Sequence, residues 1–180
     1  AKPYHDINES VDGGLLDLAK RSKVFSNFIS DVVASLLDGT IDNAVVNNVS
    51  NSAWVQTVNA ADQAYQPGTF TTFAAYEFTS STSEREALHR NVIFRGTERL
   101  PAQPFSRFNS INPEGLWDWM DTLRQQEIES LAIPHNSNGS NGAMFMFTDW
   151  AGNTIDQEYT DQRSRNEPLT EITQVKGTSD

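Results

Sequence analysis

Residues 69–81 read TFTTFAAYEFTSS. This segment is rich in β-branched and aromatic residues and its apolar character is nearly continuous, which predicts a largely buried β-strand. Two shorter apolar runs, LHRNVIF (88–94) and LAIPH (131–135), predict two more strands, and PLTEITQVKG (168–177) predicts a last one. A polar loop, NSNGSNG (136–142), follows the third of these strands directly.

Helices are predicted between and before the strands. Apolar residues recur at helical spacing from Val24 to Leu37, before the stop signal Asp38-Gly39. A second helix carries Trp54, Val55, Val58, Ala61 and Tyr65, with Ser50 or Ser52 as its N-cap and Pro67-Gly68 as its end. Asn112-Pro113 opens a third, and a fourth is expected within residues 155–165.

This order of elements favours an α/β architecture with mostly parallel strands, forming an open sheet or an arc of a barrel. We expect one domain over residues 1–180, mainly helical over 1–68 and α/β over 69–180. In such folds the chemistry lies beyond the carboxyl ends of the strands, where Glu77 and His135 fall.

The charge composition narrows the classes of partner. The chain has 13 Lys and Arg against 24 Asp and Glu, a formal net charge of −11. A nucleic-acid backbone needs a clustered basic surface, so we expect no nucleic-acid partner.

No apolar run approaches the length of a membrane span, so we expect no membrane insertion. Cysteine is absent, which leaves His, Asp and Glu as the strong metal ligands.

Glu77 lies in an apolar run, where an unpaired carboxylate is costly. It therefore needs a cation or a proton. One interpretation makes it a metal ligand or general base, and the other pairs it with Arg90 or Arg95 from the neighbouring strand.

Two histidines join Glu77 as candidates. Strand alternation places His89 with Asn91 and Ile93, on the face opposite Arg90 and Val92, and His135 lies where a strand meets the polar loop. One carboxylate and two imidazoles suit Zn²⁺, Mn²⁺ or Fe²⁺ better than Ca²⁺, and three ligands leave positions for an activated water. Either histidine could instead be structural, and His5 lies in a polar segment where we expect it to be solvated.

The four segments 69–81, 88–96, 131–145 and 165–180 resemble a bacterial family of unknown function within the PHP (polymerase and histidinol phosphatase) superfamily of metal-dependent hydrolases. The likeness runs from about Thr69 to the end, with Glu77, His89 and His135 matching a carboxylate, His, His succession of metal ligands. It implies a distorted (β/α)7 barrel with two or three divalent metals and a bridging hydroxide that attacks a phosphorus centre. From their positions, Arg90 and Asn136 are candidate contacts to a substrate phosphate or oxyanion.

The sequence departs from the superfamily at both ends, because it contains neither the initial His-x-His motif nor the final Asp-x-His motif. We therefore expect a central portion of a larger catalytic domain, with little or no activity by itself. The resemblance also suggests a small phosphoester substrate and a location in the bacterial periplasm or envelope. The competing hypothesis is a non-catalytic binding module in which Glu77 is salt-bridged and both histidines are structural.

Overall fold

A computed structural model describes residues 15–37, 40, 43–175 and 177–179. His5, the Asp12-Gly13-Gly14 turn and the Asp38-Gly39 stop signal lie outside the described residues. The chain divides into two compact units, Ala1–Val49 and Ser50–Asp180. Whether residues 1–180 form one domain of a larger protein stays a prediction.

Two helices open the described chain. Helix α1 spans Leu15–Leu37, and the predicted helix ending at Leu37 is confirmed with a start seven residues before Ser22. Several side chains of its predicted apolar face lie outside the description, namely Phe25, Ile29, Val33, Leu36 and Leu37. Helix α2 spans Asn43–Ala64. The prediction of Ser50 or Ser52 as its N-cap is therefore wrong, because both residues lie inside the helix.

A three-stranded antiparallel sheet forms the centre of the second unit. Its strands are β1 (Ala75–Phe78), β2 (Arg90–Phe94) and β3 (Ser130–Pro134), in that order across the sheet. Both pairings are antiparallel. The prediction of a partial (β/α)7 barrel with mostly parallel strands is therefore wrong. The β1–β2 connection contains no helix, and a parallel pair needs a crossover that is usually helical.

The first predicted strand is much shorter than the apolar run that suggested it. Only Ala75–Phe78 of residues 69–81 is paired as a strand. Phe70 instead closes a turn with Gln66 around Gly68, whose φ of +76° suits glycine. Phe70 and Phe73 are exposed, so aromatic content here did not mean burial.

One face of the sheet forms the core and the other is open. The core face carries Phe78, Val92, Phe94 and Ala132, which pack with Trp54 of α2 and with the third helix. Trp54 also donates its Nε1–H to the carbonyl oxygen of Pro101, at 2.9 Å. The opposite face carries residues of alternate positions, including Glu77 and Asn91, which are exposed.

The third helix, α3, spans Pro113–Gln125 and begins as the sequence predicted. The Asn112 side chain accepts a hydrogen bond from the Glu114 N–H, and Pro113 occupies the first turn. The buried residues Leu116, Met120 and Leu123 face the sheet core. Since the cap, the proline and the apolar spacing all act within one turn or two, local sequence suffices to define this helix.

The last part of the chain differs from prediction at its end. Helix α4 (Gln157–Asn166) confirms the helix expected within residues 155–165, with Asp156 as N-cap. The predicted strand over 168–177 is wrong: two-residue strands β4 (Thr173–Gln174) and β5 (Gly177–Thr178) form a small hairpin instead. Leu169 and Ile172 are exposed, so no buried neighbour holds this segment extended. No helix in the described part of the chain combines the length and the apolar character that a membrane span requires.

Candidate metal site on the open face of the sheet

The antiparallel register brings three candidate ligands to one face of the sheet. Glu77 of β1 is paired with Asn91 of β2, and Arg90 of β2 with Pro134 of β3. One step beyond that pair, the His135 N–H donates to the His89 carbonyl oxygen at 3.2 Å. Because side chains alternate between faces, Glu77, His89 and His135 all project from the open face.

The three side chains lie close enough to share one ion. Their candidate ligand atoms all lie within 4.8 Å of one another. Oε1 of Glu77 is 2.9 Å from Nδ1 of His89 and 3.9 Å from Nε2 of His135. The structure thus brings together the three predicted ligands, while their binding of a metal stays a prediction.

Glu77 is less buried than its apolar neighbours in sequence suggested. Its side chain is 45% exposed, and its Oε1 accepts hydrogen bonds from the Thr79 hydroxyl and from His89. Glu77 and Arg90 lie on opposite faces of the sheet, and the contacts of Glu77 include neither Arg90 nor Arg95. The alternative in which one of these arginines neutralises Glu77 is therefore wrong.

Opposing influences set the protonation of Glu77 and His89. Partial burial acts to raise the pKa of Glu77, but the Thr79 hydrogen bond and the two imidazoles outweigh it and hold this pKa below its ordinary value. Burial lowers the pKa of His89, and the opposing attraction of Glu77 is weaker. At neutral pH the pair is therefore a carboxylate and a neutral imidazole.

His135 is buried and lacks the hydrogen bonds that a buried imidazole usually makes. Its Nδ1 is fully buried with no partner among the described residues. Its Nε2 is 3.9 Å from the nearest carboxylate oxygen, which is beyond hydrogen-bond distance. Buried polar atoms are nearly always satisfied by protein, water or an ion, so a partner is expected at Nδ1, while Nε2 is the ring nitrogen measured against Glu77.

Asn136, the residue after His135, is bound by Glu171, a carboxylate that was not among the predicted site residues. Asn136 has a left-handed backbone (φ 59°), and its N–H donates to Oε2 of Glu171 at 2.9 Å. Gln174 and Ser179 donate to the same oxygen, and Gln174 also donates to the Asn136 side chain. Desolvation acts against ionisation of Glu171, but these donors prevail and lower its pKa.

Glu171 thus connects the β4–β5 hairpin to the loop that begins at His135. A second link in the same place is the Glu171 N–H, which donates to the Pro134 carbonyl oxygen at 3.0 Å. Residues 134 and 171 are far apart in the sequence and no local motif joins them. Only the tertiary structure therefore shows that Glu171 supports this site.

Of the two candidate substrate contacts, Asn136 lies beside the cluster and Arg90 lies away from it. Asn136 adjoins His135, but its N–H donates to Glu171 and its side-chain oxygen accepts from Gln174. The structure does not bring Arg90 to the cluster, because its side chain projects from the core face. There it donates to Glu167 at 2.8 Å and is 2% exposed.

Fold and site together define an α+β protein unit with a Glu-His-His cluster on the open face of a small antiparallel sheet. The chain belongs to a family described as a protein of unknown function, DUF3604, whose family model matches residues 1–180. Comparisons with curated proteins and with solved structures found no match.

Proposed function

We propose that Glu77, His89 and His135 bind a divalent metal, Zn²⁺, Mn²⁺ or Fe²⁺, in the centre of a phosphoester hydrolase. The observation that carries the proposal is the convergence of one carboxylate and two imidazoles within 4.8 Å. The carboxylate, His, His order of the PHP superfamily ligands supports it further. The proposal does not depend on a parallel barrel.

The distances and the donor set fit such an ion. Ligands at about 2.0–2.2 Å from a tetrahedral metal lie roughly 3.4 Å from one another. The Glu77–His89 and Glu77–His135 separations of 2.9 and 3.9 Å lie on either side of that value. Nε2 of His135 lies 3.9 Å from Oε1 of Glu77, beyond hydrogen-bond distance, so this nitrogen is available as a ligand atom.

A bound divalent ion would supply Lewis acidity and a water of lowered pKa. The residues of the chain would hold the ion and leave the remaining coordination positions open to water and substrate. Thr79 donates to Oε1 of Glu77 at 2.6 Å and thereby fixes the orientation of that carboxylate. The exposed side of Glu77 leaves a small phosphoester free access to the ion.

Metal titration of the full 180-residue chain tests the site. Isothermal titration with Zn²⁺ and Mn²⁺ should give one tight site, and His135→Ala, His89→Ala and Glu77→Gln should each weaken binding at least about tenfold. Glu127→Gln, which changes an exposed carboxylate paired with Arg99, is the matched control and should bind as the wild type does. Wild-type affinity in all three site variants would contradict the proposal.

The phosphoester part of the proposal needs its own measurement. Inorganic phosphate should bind the metal-loaded chain and should not bind the metal-free chain or His135→Ala. Metal binding without phosphate binding would overturn the hydrolase assignment and leave a metal site of another kind. A folded chain that binds no metal would instead support the alternative, a non-catalytic module in which Glu77, Thr79 and His89 form a structural hydrogen-bonded group.

A further inference from the structure

A cavity of about 310 Å³ lies away from the metal cluster. Leu88 and Arg90 contribute to its wall, and both project from the side of their strand opposite His89. None of Glu77, His89 and His135 lines it. This cavity is therefore separate from the candidate metal site.

Two guanidinium groups and one carboxylate meet at the wall of the cavity. Glu167 accepts from Nε of Arg90 at 2.8 Å through one oxygen and from Nε of Arg163 at 3.2 Å through the other. The Arg90 and Glu167 side chains are each 2% exposed, and Arg163 is 18% exposed. One carboxylate thus pairs with two closely placed guanidinium groups.

Part of the buried guanidinium of Arg90 remains available. Its Nε bonds to Glu167 and its Nη1 donates to the Leu88 carbonyl oxygen at 2.5 Å. Its Nη2 has no hydrogen-bond partner in the described part of the chain, and the residue lines the cavity. A charged guanidinium N–H forms a strong hydrogen bond to a carboxylate oxygen, so the free Nη2 is suited to an anionic head group.

The remaining wall limits the ligand to a small, partly apolar molecule. Met144, Met146 and Trp150 give apolar surface, and the volume is at the low end of ligand pockets. Glu86 and Asp149 also line the cavity, and their carboxylates already accept from Asn141 and Asn153. Their negative charge disfavours a ligand with more than one negative charge.

We propose that this cavity binds a small organic monoanion, with its carboxylate on Arg90 and its apolar body against Met144 and Trp150. The proposal is independent of the metal site. The carboxylates of Glu86 and Asp149 disfavour a phosphate dianion, while the unpartnered Nη2 of Arg90 favours a carboxylate over an uncharged group.

Benzoate, benzamide and phenyl phosphate are the probes that test the proposal. In titration calorimetry, the full chain should bind benzoate with a Kd on the order of 1 mM. It should bind benzamide and phenyl phosphate at least about tenfold more weakly. No benzoate binding at about 10 mM, or equal binding of benzoate and benzamide, would overturn it. Tighter binding of phenyl phosphate than of benzoate would overturn the preference for a single charge.

Three variants locate the ligand without disturbing the buried ion pairs. Ala143→Phe fills the cavity and should abolish benzoate binding, whereas Ala102→Phe, at an exposed bend, should leave it unchanged. His135→Ala should also leave it unchanged, which separates this site from the metal site. Benzoate affinity that survives Ala143→Phe in a folded chain would contradict the proposal, and so would affinity lost in His135→Ala.

Discussion

His89 and His135 lie side by side on neighbouring antiparallel strands, with ring centroids 5.8 Å apart and ring planes at 83°. A backbone hydrogen bond joins the two residues, so the strand pairing itself sets the spacing of their rings. Glu77 adds a carboxylate from β1. The pairing of neighbouring strands thus places all three side chains.

Glu171→Gln should weaken metal binding at His135 without unfolding the chain. Oε2 of Glu171 accepts hydrogen bonds from Asn136, Gln174 and Ser179. The glutamine amide has one oxygen that accepts and one NH2 group that donates, so the hydrogen bonds that hold the loop after His135 are weakened. We expect a loss of about 10–100-fold in Zn²⁺ affinity, measured by titration calorimetry.

Glu158→Gln, on the exposed side of α4, is the control and should bind metal normally. A change in the Co²⁺ absorption spectrum of Glu171→Gln would show that the ligand geometry itself has moved. Unaltered affinity together with an unaltered spectrum would show that Glu171 has no positioning role.

Asp121→Asn should destabilise the chain at neutral pH and lose most of that effect in acid. Burial opposes ionisation of Asp121, but donors from Arg165, Asn166 and Gln162 lower its pKa to about 2. Since the folded-state pKa lies below the ordinary 3.8, its stabilisation is present above about pH 4 and is lost as the pH falls toward 2. We expect about 1–2 kcal/mol at pH 7, measured by urea unfolding, with the difference between wild type and variant shrinking below pH 4.

The two faces of the sheet should respond differently to truncation. Phe94→Ala removes a buried ring that packs with Trp54 and Trp119, and should cost about 3–5 kcal/mol of unfolding free energy. Asn91→Ala, on the open face of the same strand, should change it by no more than about 0.5 kcal/mol. Equal effects in chemical denaturation would contradict the assignment of faces.

Local sequence predicted the helices well and the strand directions badly. The cap and proline at Asn112-Pro113 act within one turn, so they define the start of α3 directly. An apolar run does not encode which strand it pairs with or in which direction, and the same pattern at residues 88–94 fits either arrangement. The prediction of a parallel sheet therefore rests on the order of the elements alone. The observed pairings are both antiparallel and contradict it.

The candidate site was predicted in part for the same reason. Alternation assigned His89 to the face opposite Arg90, which the burial of Arg90 confirms. Two features depend on contacts between distant segments. One is the face of the sheet from which Glu77 projects, and the other is the hydrogen bond from Asn136 to Glu171. The prediction that Arg90 contacts a substrate beside the cluster fails because Arg90 lies on the core face, paired with the distant Glu167.

Anomalous diffraction at the zinc edge from crystals of the Zn²⁺-loaded chain would locate a bound ion directly. We expect one strong peak within about 2.0–2.3 Å of a Glu77 oxygen and of one nitrogen each from His89 and His135. A peak bound elsewhere on the acidic surface, or no peak at stoichiometric zinc, would contradict the proposed metal site.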